Sequence, residues 1–319
     1  MTGVTLDSLK VYPNGCGGLD SAAVVRGFER AVEIIDRVIV AEMQSSENDQ
    51  GSIAKAAEAA FDAGAIVVAA NGNFGPGAST VRSPANAHKV IGVGAYDVQS
   101  LVTNTSSGRG PTADDRIKPD VQAPTNTETA SNASDTALQV FGGTSGATPY
   151  GAGAAALFRN WLRQFGTFDP GQVAAFMILA GEQPDFDNTE GAGDLRMPVN
   201  GRALWGKVSI ADGATITIPF DAPRGTQQID VAIWWPQASA WWEGLRIGFF
   251  TFPRLHNDVD LRLLNPTGST ADSSISIPSV FEKVRSSGSI SPGTWSLRIN
   301  GYRVRSGPQT VYWAAAVRH

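Results

Sequence analysis

Residues 65–70 read Ala-Ile-Val-Val-Ala-Ala, an apolar run with no polar interruption. A strand with one wet face alternates apolar and polar residues, so an unbroken run of small and β-branched residues needs cover on both faces. Helices must supply that cover. Ser21–Ile35 places Val24, Val25, Phe28, Ala31, Val32 and Ile35 at helical spacing, and Ile53–Ala63 is Ala-rich and stops at Gly64. Val38–Val40 and Val90–Val93 are further short apolar strands, and Val4–Tyr12 reads as a strand before the Pro13–Gly18 turn. Strands that alternate with helices predict an α/β layer with a parallel sheet.

Two helices close this half. Gly146–Trp161 is rich in Gly and Ala, which suits a helix packed centrally where backbones come close. Gln172–Leu179, after Pro170, reads as an amphipathic helix with proline at its start.

Near residue 203 the pattern changes. Val208–Pro219, Gln228–Trp234, Val259–Leu264, Trp295–Ile299 and Thr310–Val317 are short, alternating and separated by Gly, Pro, Asn and Ser turns. That is the pattern of an antiparallel sandwich or barrel. Charge divides at the same place: residues 1–202 carry 22 acidic and 14 basic side chains, residues 203–319 carry 8 and 11. We read two domains, 1–202 and 203–319, with the second expected to fold independently.

Several functions are excluded early. Neither half is basic enough for a phosphate backbone, so nucleic acid is not a partner. No apolar run reaches the ~18 residues of a membrane span. The single cysteine, Cys16, rules out an intrachain disulfide and a cysteine-based zinc site. Three histidines, His88, His256 and His319, are the whole supply of imidazole bases. Each reads as a surface or solvated residue.

The chemistry concentrates in Gly143-Thr144-Ser145-Gly146-Ala147-Thr148-Pro149. A serine in the first turn of a buried helix sits where the helix N-terminus favours developing negative charge. Upstream, Val67–Gly75 reads Val-Val-Ala-Ala-Asn-Gly-Asn-Phe-Gly, a strand running into an asparagine turn. Ser83-Pro84-Ala85-Asn86-Ala87, Ser106–Pro111 and Lys118-Pro119-Asp120-Val121-Gln122-Ala123-Pro124 follow in order.

Together these segments resemble the subtilases, the subtilisin-like serine peptidases, in family order over residues 66–160. The resemblance implies an α/β fold with a subtilisin-like parallel sheet flanked by helices. It makes Ser145 the nucleophile and Asn73 the oxyanion donor, and a side-chain amide in that role is worth roughly 3–4 kcal/mol (a subtilisin is the standard example). Glu42, Met43 and Gln44 fall where the family binds extended peptide, so the expected partners are polypeptide substrates. The second half resembles an all-β antiparallel jelly-roll barrel found after the catalytic domain of alkaline subtilases. Asn257-Asp258-Val259-Asp260-Leu261, Asn265–Gly268, Pro292–Trp295 and Ser306–Thr310 carry that similarity. Calcium is the cofactor the resemblance allows, at Asp258 and Asp260, which share one strand face; solvated carboxylates are an equal reading.

The family pattern is incomplete. No histidine precedes Asn73, and neither Asp7 nor Asp20 lies in the family's aspartate motif. The expectation is a serine endopeptidase whose triad Asp and His would come from an upstream segment, the chain alone being inactive. The alternative is a non-catalytic, subtilase-derived binding or scaffold protein. An extracellular location follows from the resemblance alone. Trp234, Trp235, Trp241 and Trp242, with Phe249, Phe250 and Phe252, are read either as inter-domain packing or as an interface patch.

Overall fold

The computed structural model describes residues 3–13, 17–167, 169–197, 200–237, 246–247, 250–251, 256–305 and 307–319. Cys16, Trp241, Trp242, Phe249 and Phe252 lie outside the described residues, as does the Phe250 side chain.

The first half is built on helix α1 (Ser21–Glu33), strand β1 (Val38–Ala41), helix α2 (Ser52–Asp62), and strands β2 (Ile66–Ala70), β3 (Ile91–Asp97) and β4 (Val121–Thr125). The four strands form a parallel sheet in the order β1-β2-β3-β4, with β1 at one end among the described strands. All five residues of β2 are buried, as its unbroken apolar run requires. Asp20 caps α1 by accepting the Ala22 amide at 2.9 Å.

A hairpin of β5 (Thr127–Ala130) and β6 (Leu138–Phe141) leads into the long helix α3 (Gly143–Arg163). Here the small residues of α3 show their use. A Cβ on Gly151 would lie 2.9 Å from Val93 Cγ2 and 3.3 Å from Val68 Cγ1, so the helix rests directly on β2 and β3. Helix α4 (Pro170–Ala180) follows, capped by Asp169. It is not amphipathic as expected: Gly171 to Ala180 are all buried. An apolar helix covered on every side belongs between layers.

The second half contains β7 (Arg202–Ile210), β8 (Thr215–Ala222), β9 (Gln228–Trp234), the two-residue strands β10 (Arg246–Ile247) and β11 (Phe250–Thr251), β12 (Asp258–Leu264), β13 (Thr270–Ser274), β14 (Phe281–Ser287), β15 (Gly293–Arg303) and β16 (Gln309–Arg318). Two antiparallel four-stranded sheets result, β13-β12-β15-β8 and β14-β9-β16-β7. The inner faces of both join α3, α4 and the parallel sheet in one apolar core.

Two strand expectations need correction. Val4–Tyr12 forms no strand; most of it is exposed and lies outside the sheet. Val208–Pro219 is two strands, because Gly213 at φ +67° turns the chain between β7 and β8. The tryptophans that are described act as packing. Trp234 and Trp235 are buried, and the Trp234 ring lies 5.4 Å from Phe61 on α2, joining the second half to the first.

Candidate active site

Ser145 occupies the first turn of α3 and is half-buried. The first N–H groups of a helix have no intrahelical acceptor, so this turn is a natural seat for negative charge. Pro149 has no N–H, which leaves the Ser145 carbonyl without its helical donor.

Asn73 stands on the turn after β2 and reaches the same helix start. Its Oδ1 accepts the Thr144 amide at 2.8 Å and the Thr144 hydroxyl at 2.9 Å. The donor half, Nδ2, is therefore what this side chain can offer an incoming oxygen. Thr144 Oγ1 also accepts the Gly72 amide at 3.2 Å, which ties the turn to the helix from the other side. Gly143 makes this contact possible: it sits at φ +68°, and a Cβ there would lie 2.9 Å from both Asn73 Nδ2 and Oδ1. Sequence reasoning passed over Thr144 and Gly143 as parts of a motif; their geometry makes them the support of Asn73.

The neighbouring asparagine has a different task. Asn71 is fully buried and donates to the Gly108 carbonyl at 2.7 Å, holding the 106–111 segment against the turn.

The segment after β1 closes on both groups. Ser145 Oγ donates to the Glu42 carbonyl at 3.1 Å, and Gln44 Oε1 accepts the Asn73 amide N–H at 3.1 Å. Met43, between them, is buried in the apolar cluster beneath α1 and α2, while the Glu42 side chain is exposed. Ser145, Asn73, Glu42 and Gln44 thus gather around one helix N-terminus, while Met43 packs into the core instead.

The histidines do not. His88 and His256 are buried, not solvated as expected. The Glu58 carboxylate accepts the His88 backbone N–H at 2.8 Å and meets His88 Nδ1 at 3.1 Å, while Asp114 Oδ2 is 2.8 Å from Nε2. His256 Nε2 lies against the Asp114 carbonyl. Among the described residues, no histidine hydrogen-bonds Ser145, and His88, with both ring nitrogens engaged, is not its base.

The calcium reading fares little better. Asp258 and Asp260 are buried rather than solvated, and burial raises both carboxyls. Among the described residues no third carboxylate joins them at ligand spacing. Glu282 places one oxygen on the Ser274 hydroxyl and the other on the Ser276 amide. These side chains do not assemble the six to eight oxygens that calcium takes.

The subtilase family profile matches residues 2–193. The chain belongs to the subtilase family. Solved structures similar to this subtilase include the prenylagaramide maturation protease PagA, at 22% identity and a TM-score of 0.51, covering 58% of this chain and 68% of that one. The patellamide maturation protease PatA (24%, TM-score 0.49) covers 58% and 69%, and sphericase (22%, TM-score 0.47) covers 56% and 63%. At such identities the likeness is one of fold. Among the described residues of the subtilase, no helix is long and apolar enough to cross a membrane.

Proposed function

We propose that this chain carries the nucleophile and oxyanion half of a subtilisin-like serine endopeptidase, with Ser145 as nucleophile and Asn73 as oxyanion donor. One observation carries the reading: Asn73 Oδ1 is locked onto Thr144, the residue before Ser145, so its Nδ2 is committed to donation beside the serine. In the reaction, Ser145 Oγ would bond to the scissile carbonyl carbon and pass its proton to an imidazole. The carbonyl oxygen, now negative, would take hydrogen bonds from Asn73 Nδ2 and the first-turn amides of α3. The imidazole would return the proton to the departing amine, and water would release the acyl group by the same steps.

The imidazole and its aspartate are proposed to come from an upstream segment, joined to this chain or added to it. Among the described residues no strand pairs with the outer edge of β1, so a strand of that segment would have backbone to pair with. Residues 42–44, which continue β1, would bind extended polypeptide through their backbone. Exposed Glu42 would favour basic side chains there. Extracellular polypeptides are the proposed substrates. The all-β part, residues 203–319, is proposed as a jelly-roll barrel that braces the site through α4.

A second reading has its own support. The serine hydroxyl rests on the Glu42 carbonyl and Gln44 caps the Asn73 amide, so the site is closed on itself. That suits a non-catalytic, subtilase-derived binding or scaffold protein. Labelling with a fluorophosphonate separates the two. The endopeptidase reading expects no labelling of the chain alone, and Ser145-dependent labelling with peptide hydrolysis once a segment bearing the family's Asp and His motifs is supplied. Failure of every such segment to activate Ser145 would leave the scaffold reading.

A further inference from the structure

We propose that His88, Asp114 and His256 form a binding site for a zinc-class divalent ion, which clasps the 256–258 segment of the all-β half onto the parallel-sheet half. The three residues are buried, and one ligand atom from each lies within 4.8 Å of the others. They come from the 83–90 connection, the 112–116 loop and the approach to β12, so the fold alone brings them together.

The hydrogen bonds show a ring prepared for a ligand. The His88 backbone N–H and Nδ1 both meet Glu58 Oε1, at 2.8 and 3.1 Å. A carboxylate on Nδ1 fixes that nitrogen as the proton donor and turns the Nε2 lone pair outward, as in metal-bound imidazoles. Nε2 then faces Asp114 Oδ2 at 2.8 Å, one acceptor against another. Only a positive centre between them satisfies both: a second proton on the ring, or a metal ion. His256 adds the third donor, its Nε2 3.7 Å from the same Asp114 oxygen. Donors bound to zinc at about 2.0–2.1 Å stand roughly 3.3 Å apart in a tetrahedron, within the span seen here.

A second observation points the same way. Among the described residues, buried His256 Nδ1 has no hydrogen-bond partner. That nitrogen is free to carry the ring proton, which leaves the Nε2 lone pair for an ion. Asp49 Oδ2, 3.8 Å from His88 Nε2, is the nearest fourth ligand. Arg116 shares the pocket, with Nε 2.6 Å from Asp114 Oδ2, so a bound ion would meet one fixed cation among the Asp49, Glu58 and Asp114 carboxylates. Two imidazoles with a carboxylate suit zinc or cobalt and do not suit calcium, which takes oxygen donors. Loading would release the proton held between His88 and Asp114, while the His256 proton would move from Nε2 to Nδ1.

The test uses the full chain, stripped with chelator and dialysed. Cys16→Ser and His319→Ala remove the thiol and the imidazole that lie outside the cluster. Titration with zinc against a chromogenic chelator should give one saturable site per chain. Proton release should accompany binding, and the melting temperature should rise by about 3 °C or more at saturation. Cobalt in place of zinc should give the visible absorption of a four- or five-coordinate centre. His88→Gln and His256→Gln should each weaken binding by roughly a hundredfold. If His88→Gln does not fold, His256→Gln and the cobalt spectrum of the parent chain decide. Absence of saturable binding, or binding that both variants leave intact, would overturn the assignment.

Discussion

The Ser145 hydroxyl donates its proton to the Glu42 main-chain carbonyl across 3.1 Å. A nucleophilic serine gives that proton to a base, and a peptide carbonyl is far too weak a base to keep it. The contact therefore parks the side chain and fixes its rotamer without activating it. Asn73 differs in that its orientation is set by Thr144, wholly within this chain. On the proposed reading, the oxyanion donor is preorganised in this chain and the proton acceptor is supplied by a further segment. Activity should follow that division: turnover by the isolated chain should fall about a millionfold below that of a complete triad. Casein or chromogenic-peptide hydrolysis by the purified chain, lost in Ser145→Ala, would contradict this.

Thr144 and Gly143 should matter for stability before they matter for rate. Thr144→Val removes the hydroxyl that joins Asn73 to Gly72 and leaves polar groups short of partners, a cost of about 1–3 kcal/mol. Gly143→Ala forces a Cβ into the Asn73 amide at a positive φ and should cost a similar amount. Denaturant unfolding checks both. Asn73→Ala, which also relieves the clash, should make Gly143→Ala less damaging than it is alone.

Two adjacent residues of β14 titrate in opposite senses. Burial pushes the Glu282 carboxyl from its ordinary 4.5 up to about 9, and holds the Lys283 ammonium down from 10.5 to about 7. Between pH 4.5 and 9 the folded chain binds a proton at Glu282 that the unfolded chain has lost, so this group's contribution to stability falls as pH rises. Between pH 7 and 10.5 the unfolded chain binds the extra proton at Lys283, so that contribution improves as pH rises. Glu282→Gln should therefore gain on the parent in melting temperature from pH 5 to 9. The advantage of Lys283→Met should be largest at pH 7 and below and shrink toward pH 10. Parallel curves of melting temperature against pH for parent and variants would refute both assignments.

How far the sequence carried the fold depended on whether a segment's partners lay nearby. Gln228–Trp234 was legible to the residue as a short Ile-, Val- and Trp-rich run between turn residues, although six of its seven residues are buried and it has no wet face. The backbone places of Ser145 and Asn73 were legible because a motif states them, and that of residues 42–44, which match no motif, because they continue β1. Helix α4 was misjudged as amphipathic, since being covered on every side depends on β9 and β16, more than 40 residues downstream. The hairpin of Thr127–Ala130 with Leu138–Phe141 gave no signal, its first strand carrying Thr and Glu in place of large apolar residues. His88 and His256 looked solvated because nothing local tells a loop histidine from one buried against Glu58 and Asp114, far along the chain.

Lys118 and Asp120 form a buried ion pair beneath β3. Lys118 Nζ donates to the Val90 carbonyl at 2.6 Å and to the Asp120 carboxylate, which also accepts the Gly92 amide at 2.6 Å. Removing one partner strands the other charge. Asp120→Asn and Lys118→Met should each destabilise by about 3–5 kcal/mol, and the double variant by clearly less than the sum of the two. Additive costs in denaturant unfolding would show that the pair is not coupled.

The last prediction concerns what residues 203–319 need in order to fold. Helix α4 lies on the β14-β9-β16-β7 sheet so closely that a Cβ on Gly171 would sit 2.2 Å from the Tyr312 ring. Gln172 Nε2 donates to the Trp313 carbonyl at 2.9 Å, and Lys207 pairs with Asp169 at 3.0 Å. Without α4, that face of β9 and β16 would meet water over a broad apolar area, a condition that favours aggregation. Residues 203–319 alone should therefore melt at a lower temperature and with poorer cooperativity than residues 166–319, which keep the helix. Replacing Gly171 by Val in the longer segment should remove most of the difference, because the helix could no longer seat against Tyr312. Equal melting temperatures for the two segments would show that the sheets form a self-sufficient core and that α4 merely rests on it.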